Sequence, residues 1–129
     1  MSTLIINDAR NKAKLYLQQG SELTLTFDLS EFTTSLVGAT GRGQIRRTAS
    51  SNTIEAEFDC SVDSGAETMT ATLAAADSTA MVLDASDEAK RTHTVMAYDI
   101  ELVFSDDTPV RLLWGEVEII PEVTRDAAP

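Results

Sequence analysis

The feature that most constrains the fold is a two-residue alternation of apolar and polar side chains that recurs along the chain. It is clearest in residues 22–30, whose apolar positions are Leu23, Leu25, Phe27 and Leu29. Because successive side chains of a β-strand point to opposite faces, this segment has one buried and one exposed face. The sixteen threonines of the chain are also typical of strands. The alternation recurs in residues 39–46, 54–62, 68–73, 94–104 and 110–120.

About seven to eight short strands separated by turn signals predict an all-β protein, which we interpret as an immunoglobulin-like antiparallel β-sandwich. A β-barrel produces the same signal. An alanine-rich stretch breaks the alternation and predicts one short helix or 3-10 turn near residues 75–83, with Asp77 or Ser78 as its N-cap. Gly41 and Gly43 predict a close approach of another element to their strand, and Gly115 predicts a bulge or bend.

The chain divides into an N-terminal arm, one domain and a C-terminal tail. Its 129 residues have the usual size of a single domain. We assign residues 1–14 to the arm and residues 15–120 to the β-sandwich. Residues 121–129 are short and polar, and they are interpreted as a tail that contacts a partner or frays.

The charge balance disfavours two classes of partner. Ten Lys and Arg against twenty-one Asp and Glu give a net charge of −11, which repels phosphate backbones and anionic lipid headgroups. We therefore expect no nucleic-acid partner and no membrane partner. The longest apolar runs are far shorter than the roughly 20 residues of a spanning helix. The first ten residues lack the features of a secretory signal, and the lone Cys60 cannot form an internal disulfide, so we expect synthesis in a reducing cytoplasm.

Residue counts disfavour an enzyme, and we expect no catalytic residues, no metal and no cofactor. His93 is the only histidine, which excludes His-dependent triads and multi-histidine metal sites, and its polar surroundings are typical of a solvated loop. Cys60 shares an inward strand face with Phe58 and Val62, which favours a buried and inert thiol. Two acidic clusters lack the ligand spacing of a calcium loop and are interpreted as solvated turns. They are Asp84, Asp87 and Glu88, and Asp106 and Asp107.

One basic patch and one tryptophan are candidates for contacts. Arg42, Arg46 and Arg47 lie close together in an otherwise acidic chain. We expect them to pair with the protein's own carboxylates, such as Glu55 and Glu57 on the neighbouring strand, or with an acidic partner. Trp114 is interpreted first as a core aromatic and second as an interface anchor.

Several segments, in this order and spacing, resemble the N-terminal sandwich domain of tailed-bacteriophage baseplate upper proteins and related tail-fibre-attachment proteins. The resemblance spans about residues 15–125. The segments are QGSELTLTF at 19–27, LVGATGRGQIRR at 36–47, YDIEL at 98–102, VRLLWGEV at 110–117 and PEVTR at 121–125.

The resemblance implies a non-enzymatic virion protein that docks onto the tail or baseplate core, in multiple copies and among other virion structural proteins. No fibre or lectin domain follows within these residues, so we expect an adaptor or fibre-attachment subunit, located in the tail or baseplate in preference to the capsid. A capsid decoration, or cement, protein is the alternative. The expected interface residues lie in the two terminal segments and the basic patch: Leu4, Ile5, Ile6, Arg42, Arg46, Arg47, Glu122, Val123 and Arg125.

A carbohydrate-binding or adhesin-like module is a second alternative, since β-sandwiches often carry sugar sites. Such sites commonly use exposed aromatic side chains, and only 5% of this chain is aromatic. Tyr16 and Phe32 are the aromatic residues not assigned to an inward face.

Overall fold

A computed structural model describes residues 2–6, 11–80 and 94–121, which form nine strands and one short helix. Each alternating segment predicted from the sequence overlaps a strand. The elements are β1 (Ser2–Ile6), β2 (Asn11–Lys12), β3 (Leu15–Gln18), β4 (Leu23–Asp28), β5 (Thr40–Arg46), β6 (Ala56–Asp63), β7 (Thr68–Leu73), α1 (Ala75–Ala80), β8 (Thr94–Val103) and β9 (Pro109–Ile120).

The strands form two sheets that share β6. The first sheet has the order β1-β4-β7-β6, and the second continues through β5, β8 and β9 to β2 and β3. Strand β6 changes sheets along its length: Asp59–Asp63 pair with β7, whereas Ala56–Phe58 pair with β5. The protein is therefore an all-β, immunoglobulin-like sandwich, as the alternation predicted.

Three pairings depart from the expected antiparallel arrangement. Strand β1 pairs in parallel with β4, and both β2 and β3 pair in parallel with β9. Since β3 and β9 are distant in the sequence, no tight turn dictates their relative direction. Two of these strands, Ser2–Ile6 and Asn11–Lys12, come from the segment expected as an N-terminal arm, and they raise the strand number above the predicted seven to eight. Of the expected C-terminal tail, only the buried Pro121 is described.

The core lies between the two sheets and consists of the apolar positions of the alternation. In β4 the side chains of Leu25 and Phe27 are fully buried, whereas those of Thr24 and Thr26 are only partly so. A β-carbon added to Gly41 would collide with the side chains of Met69 and Cys60, and one added to Gly43 would press on Ile100 and Phe58. The close approach predicted at the two glycines is therefore confirmed.

The helix is present where it was predicted, but its cap is different. Helix α1 begins at Ala75, so Asp77 and Ser78 lie inside it, and neither is the N-cap. Ser78 is fully buried, and its hydroxyl joins the helix to the turn before β4 through hydrogen bonds. Its hydroxyl accepts a hydrogen bond from the Gly20 amide and donates to the Ser21 carbonyl, both at 2.9 Å. Residues 81–83 of the predicted helix lie outside the described residues.

The bulge in β9 occurs earlier than predicted. Ile100 pairs with Leu113 and Glu101 pairs with Arg111, so Leu112 is the extra residue on β9. Gly115 instead pairs in register with Tyr98 and lies against another backbone segment. A β-carbon there would collide with the carbonyl of Ala13. Among the described residues, no helix has the length and apolar character needed to cross a membrane.

Candidate functional site

The outward face of the second sheet brings charged side chains from three neighbouring strands together around Asp99. Strand β8 runs between β5 and β9, and the register places Asp99 opposite Gln44 on one side and opposite Trp114 on the other. One row further along, Glu101 lies between Arg42 and Arg111. We call this surface the polar basin, and it comprises Arg42, Gln44, Arg46, Ala97, Asp99, Glu101 and Arg111.

The polar basin is a depression with two lobes that share Gln44 and Asp99. The first lobe has a volume of about 180 Å³ and is bounded by Arg46 and Arg111, with Ala97 among the residues that line it. The second lobe, about 300 Å³, lies between Arg42 and Glu101 over Gly43. The small side chain of Ala97 leaves space in the first lobe between the longer side chains of Arg46 and Arg111.

Asp99 is a partly buried carboxylate at the centre of the basin. Burial raises the pKa of Asp99 above its ordinary value, and the negative charge of Glu101 raises it further. The positive charges of Arg111, Arg42 and Arg46 act in the opposite direction. Within the described part of the chain, no group donates a hydrogen bond to this carboxylate. Asp99 therefore has unused acceptor capacity facing a cavity.

The three arginines of the basin are held in different ways. Arg42 Nε lies 2.6 Å from Glu101 Oε1 in an ion pair. Arg46 donates to Gln44 Oε1 through Nη2 at 2.9 Å and Nε at 3.3 Å, and to the Ser51 carbonyl through Nη1 at 2.7 Å. The guanidinium of Arg111 lies 5.6 Å from the centre of the Trp114 ring, in a cation–π contact. Considering only residues that the structure describes, Arg111 forms no ion pair.

The predicted pairing of the basic patch is confirmed in part. Arg47 Nε lies 3.9 Å from Glu55 Oε1, on the carboxylate that was expected. Arg42 instead pairs with Glu101, because Glu101 is its cross-strand neighbour on β8, and Glu57 lies opposite Gln44. Arg42 and Arg46 line the basin, whereas Arg47 does not.

The first interpretation of Trp114, as a core residue, was wrong. The extra residue at Leu112 reverses the phase of alternation in β9, so Leu112 and Leu113 are both buried and Trp114 points outward beside Asp99. Trp114 is partly exposed. The bulge occurs at Leu112, and no glycine or other residue typical of bulges marks this position in the sequence. The sequence therefore predicts neither the outward position of Trp114 nor the basin.

A second feature of the same face is apolar. Tyr16 and Val95, which are 60% and 44% exposed, lie on either side of Glu118 in one cross-strand row. Glu118 is covered, with 19% of its side chain exposed, and Lys14 Nζ lies 3.5 Å from its Oε1. Lys14 Nζ also lies 5.4 Å from the centre of the Tyr16 ring. We call these four residues the Tyr16–Val95 patch; the sequence offered no signal for it beyond the outward phase of each strand.

The terminal segments expected at interfaces are placed only in part. Leu4, Ile5 and Ile6 pair in register with Leu25, Thr26 and Phe27, and their strand β1 forms an edge of the first sheet. Glu122, Val123 and Arg125 lie outside the described residues, as do His93 and the acidic cluster at 84–88.

The thiol of Cys60 lies at the margin of the core rather than within it. Its side chain is partly buried and packs against the core residues, with Sγ 3.8 Å from the Phe58 carbonyl oxygen. Burial raises the pKa of Cys60 to about 11, and the charge of Asp59 contributes. In the ranges that the structure covers, no three Cys, His, Asp or Glu side chains are grouped as metal ligands would be.

No family model matches the chain, and no curated protein does either. Among solved structures, it is similar to a cysteine protease inhibitor from Entamoeba histolytica, with a TM-score of 0.45 and 8% sequence identity. The similarity covers 95% of this chain and 97% of that one.

Proposed function

We propose that this protein is a non-enzymatic structural protein of a tailed-bacteriophage virion, acting as a tail or baseplate adaptor or as a fibre-attachment subunit. The observation that carries the proposal is the Tyr16–Val95 patch, a surface suited to contact with another protein. The resemblance of the strand segments to baseplate upper proteins supplies the kind of particle.

The composition of the patch supports a protein partner. Tyrosine is enriched in interfaces because it combines a large apolar ring with a polar tip. In the patch, two exposed apolar side chains flank an ion pair whose carboxylate belongs to a partly buried side chain. A partner that covers the patch removes Tyr16 and Val95 from water and leaves Glu118 paired with Lys14, so no charge is buried alone.

The partners in this proposal are other virion structural proteins and further copies of the same chain. The edge strand β1 offers a second contact, since a strand at a sheet edge has backbone groups that can pair with another chain. A capsid decoration protein uses the same kinds of contact, and only its position on the particle distinguishes the two roles. The carbohydrate-binding alternative concerns the polar basin, which adjoins the patch on the same sheet face.

The experiment that tests the proposal is electron cryo-microscopy of particles that carry the chain, combined with replacement of the patch. We expect density for the sandwich in the tail or baseplate. The double variant Tyr16→Asp, Val95→Asp is expected to be absent from purified particles, because two carboxylates would have to be buried without partners. Val37→Asp is the matched control, since Val37 is 70% exposed and lies outside the patch.

Each outcome of this experiment has a defined meaning. Density on the capsid lattice would replace the adaptor role with the cement role. Absence of the wild-type chain from every particle would refute both. Normal incorporation of the double variant would remove the patch from the interface.

A further inference from the structure

We propose that the polar basin is a carbohydrate-binding site that holds a neutral pyranose ring against Asp99, Arg46 and Arg111. This inference rests on residues that adjoin the Tyr16–Val95 patch on the same sheet face but are not part of it, and it does not depend on the virion role. Its basis is the combination of free acceptors and donors around a small cavity.

The first lobe contains both a carboxylate acceptor and guanidinium donors, so a ligand that fits it needs both donors and acceptors. The Asp99 carboxylate supplies acceptor oxygens with no donor among the described residues. Arg111 supplies guanidinium donors that form no ion pair there. All three guanidinium nitrogens of Arg46 donate to Gln44 or Ser51, which leaves the second proton of each Nη for a ligand. Adjacent hydroxyl groups of a sugar donate to a carboxylate and accept from a guanidinium at the same time.

Charge disfavours ionised ligands in this lobe. A ligand carboxylate between Arg46 and Arg111 would also face Asp99, and the two negative charges would repel each other. A ligand cation attracted to Asp99 would face the two guanidinium groups. A neutral polyhydroxyl compound satisfies both kinds of group without adding charge to the basin.

The shape of the basin also suits a compact ring. The first lobe, about 180 Å³, is open to solvent on one side and is small compared with the roughly 300–1,000 Å³ of sites for drug-sized ligands. Arg111 is held at its rim by the cation–π contact with Trp114, so less side-chain freedom is lost when it binds. The second lobe begins on the other side of Gln44 and Asp99 and has room for a linked second ring.

The test is saturation-transfer-difference NMR on the full chain, with glucose, galactose, mannose, rhamnose and N-acetylglucosamine as separate probes. We expect transfer to the ring protons of at least one sugar at about 10 mM, since single sugars bind in the millimolar range. Asp99→Ala and Arg111→Ala are expected to weaken that binding on the order of tenfold or more, because each leaves sugar hydroxyls unpaired. Arg47→Ala is the matched control: it removes the arginine that directly follows β5 and does not line the basin.

A second type of variant keeps the test decisive if Asp99→Ala does not fold. Ala97→Phe leaves every polar group in place and fills the first lobe, so it is expected to abolish transfer. The absence of transfer to all five sugars would overturn the proposal, as would transfer that persists in both Asp99→Ala and Ala97→Phe. Binding of a peptide at the basin with no sugar bound would assign it to a protein partner instead.

Discussion

The phenol of Tyr98 donates a hydrogen bond to the backbone carbonyl of Ala13 at 2.7 Å, linking the central strand β8 to the segment between β2 and β3. The Ala13 amide donates in turn to the Trp114 carbonyl at 2.9 Å. Strands β2 and β3 are therefore held at the edge of the second sheet by a side chain from two strands away as well as by backbone pairing with β9. Burial raises the pKa of Tyr98, so the phenol remains a donor throughout the neutral range.

Tyr98→Phe is expected to lower the free energy of unfolding by about 1–3 kcal/mol, because the Ala13 carbonyl loses its side-chain donor in a covered position. Chemical denaturation measures the change. Amide exchange of Leu15 and Leu17 in β3 is expected to accelerate more than exchange in β4. Tyr16→Phe is the control, since its hydroxyl belongs to a side chain that is 60% exposed, and it is expected to leave stability nearly unchanged.

Gly115→Ala is expected to destabilise the protein by about 2 kcal/mol or more. Gly115 has a φ of 145°, which L-residues rarely adopt, and its new methyl group would collide with the Ala13 carbonyl. Thermal unfolding compares this variant with Gly65→Ala, whose β-carbon would lie 3.5 Å from Asp63 Oδ1, an ordinary contact. Equal melting temperatures for the two variants would show that β9 and the Ala13 segment are not packed as described.

Asp99→Asn is expected to raise stability at neutral pH. The pKa of Asp99 is raised in the folded protein above the ordinary value of 3.8 that it has in the unfolded chain. Between pH 3.8 and the raised pKa, the folded state therefore binds more protons than the unfolded state does. Stability from this group therefore falls as the pH rises through that window, and the full penalty persists at neutral pH. Urea denaturation across the acidic range measures the effect, and the variant is expected to lose this part of the pH dependence.

Asp106→Asn is expected to change stability in the direction opposite to Asp99→Asn, because the fold lowers the pKa of Asp106. The Thr108 side chain and amide lower the pKa of Asp106, and the amide donates to its Oδ1 at 3.0 Å in the turn between β8 and β9. The stabilisation is present above pH 3.8 and disappears as the pH falls through the lowered pKa. Asp106→Asn is therefore expected to lower stability at neutral pH, and the same direction of change in both variants would contradict this account.

The thiol of Cys60 is expected to react slowly with a thiolate-specific reagent in the folded protein. With its pKa raised to about 11, only about one thiol in a thousand is ionised near pH 8. The modification rate with a disulfide reagent is expected to rise at least about tenfold when urea unfolds the chain. If the folded protein reacts as fast as the unfolded chain, the thiol is neither shielded from solvent nor raised in pKa.

Local alternation was sufficient to predict most strands and their inward faces. In Leu23, Leu25 and Phe27, the burial of every second side chain follows from strand geometry alone, whatever the partner strand. The helix near residue 75 was predicted for a similar reason, since it required only an interruption of the alternation by residues that favour helices. The close approach at Gly41 and Gly43 also follows from the residues themselves, because they lack a β-carbon.

The candidate site depended on relationships that no local pattern contains. The bulge at Leu112 reversed the phase of β9 and placed Trp114 outward, and the register between β5 and β8 placed Glu101, not Glu57, beside Arg42. Consecutive residues are enough to predict that segments such as β4 and β7 are strands and which side of each is apolar, because alternation is a local property. The position of Asp99 among three arginines depends on which distant strands pair and in which register, and it therefore follows from the folded structure alone.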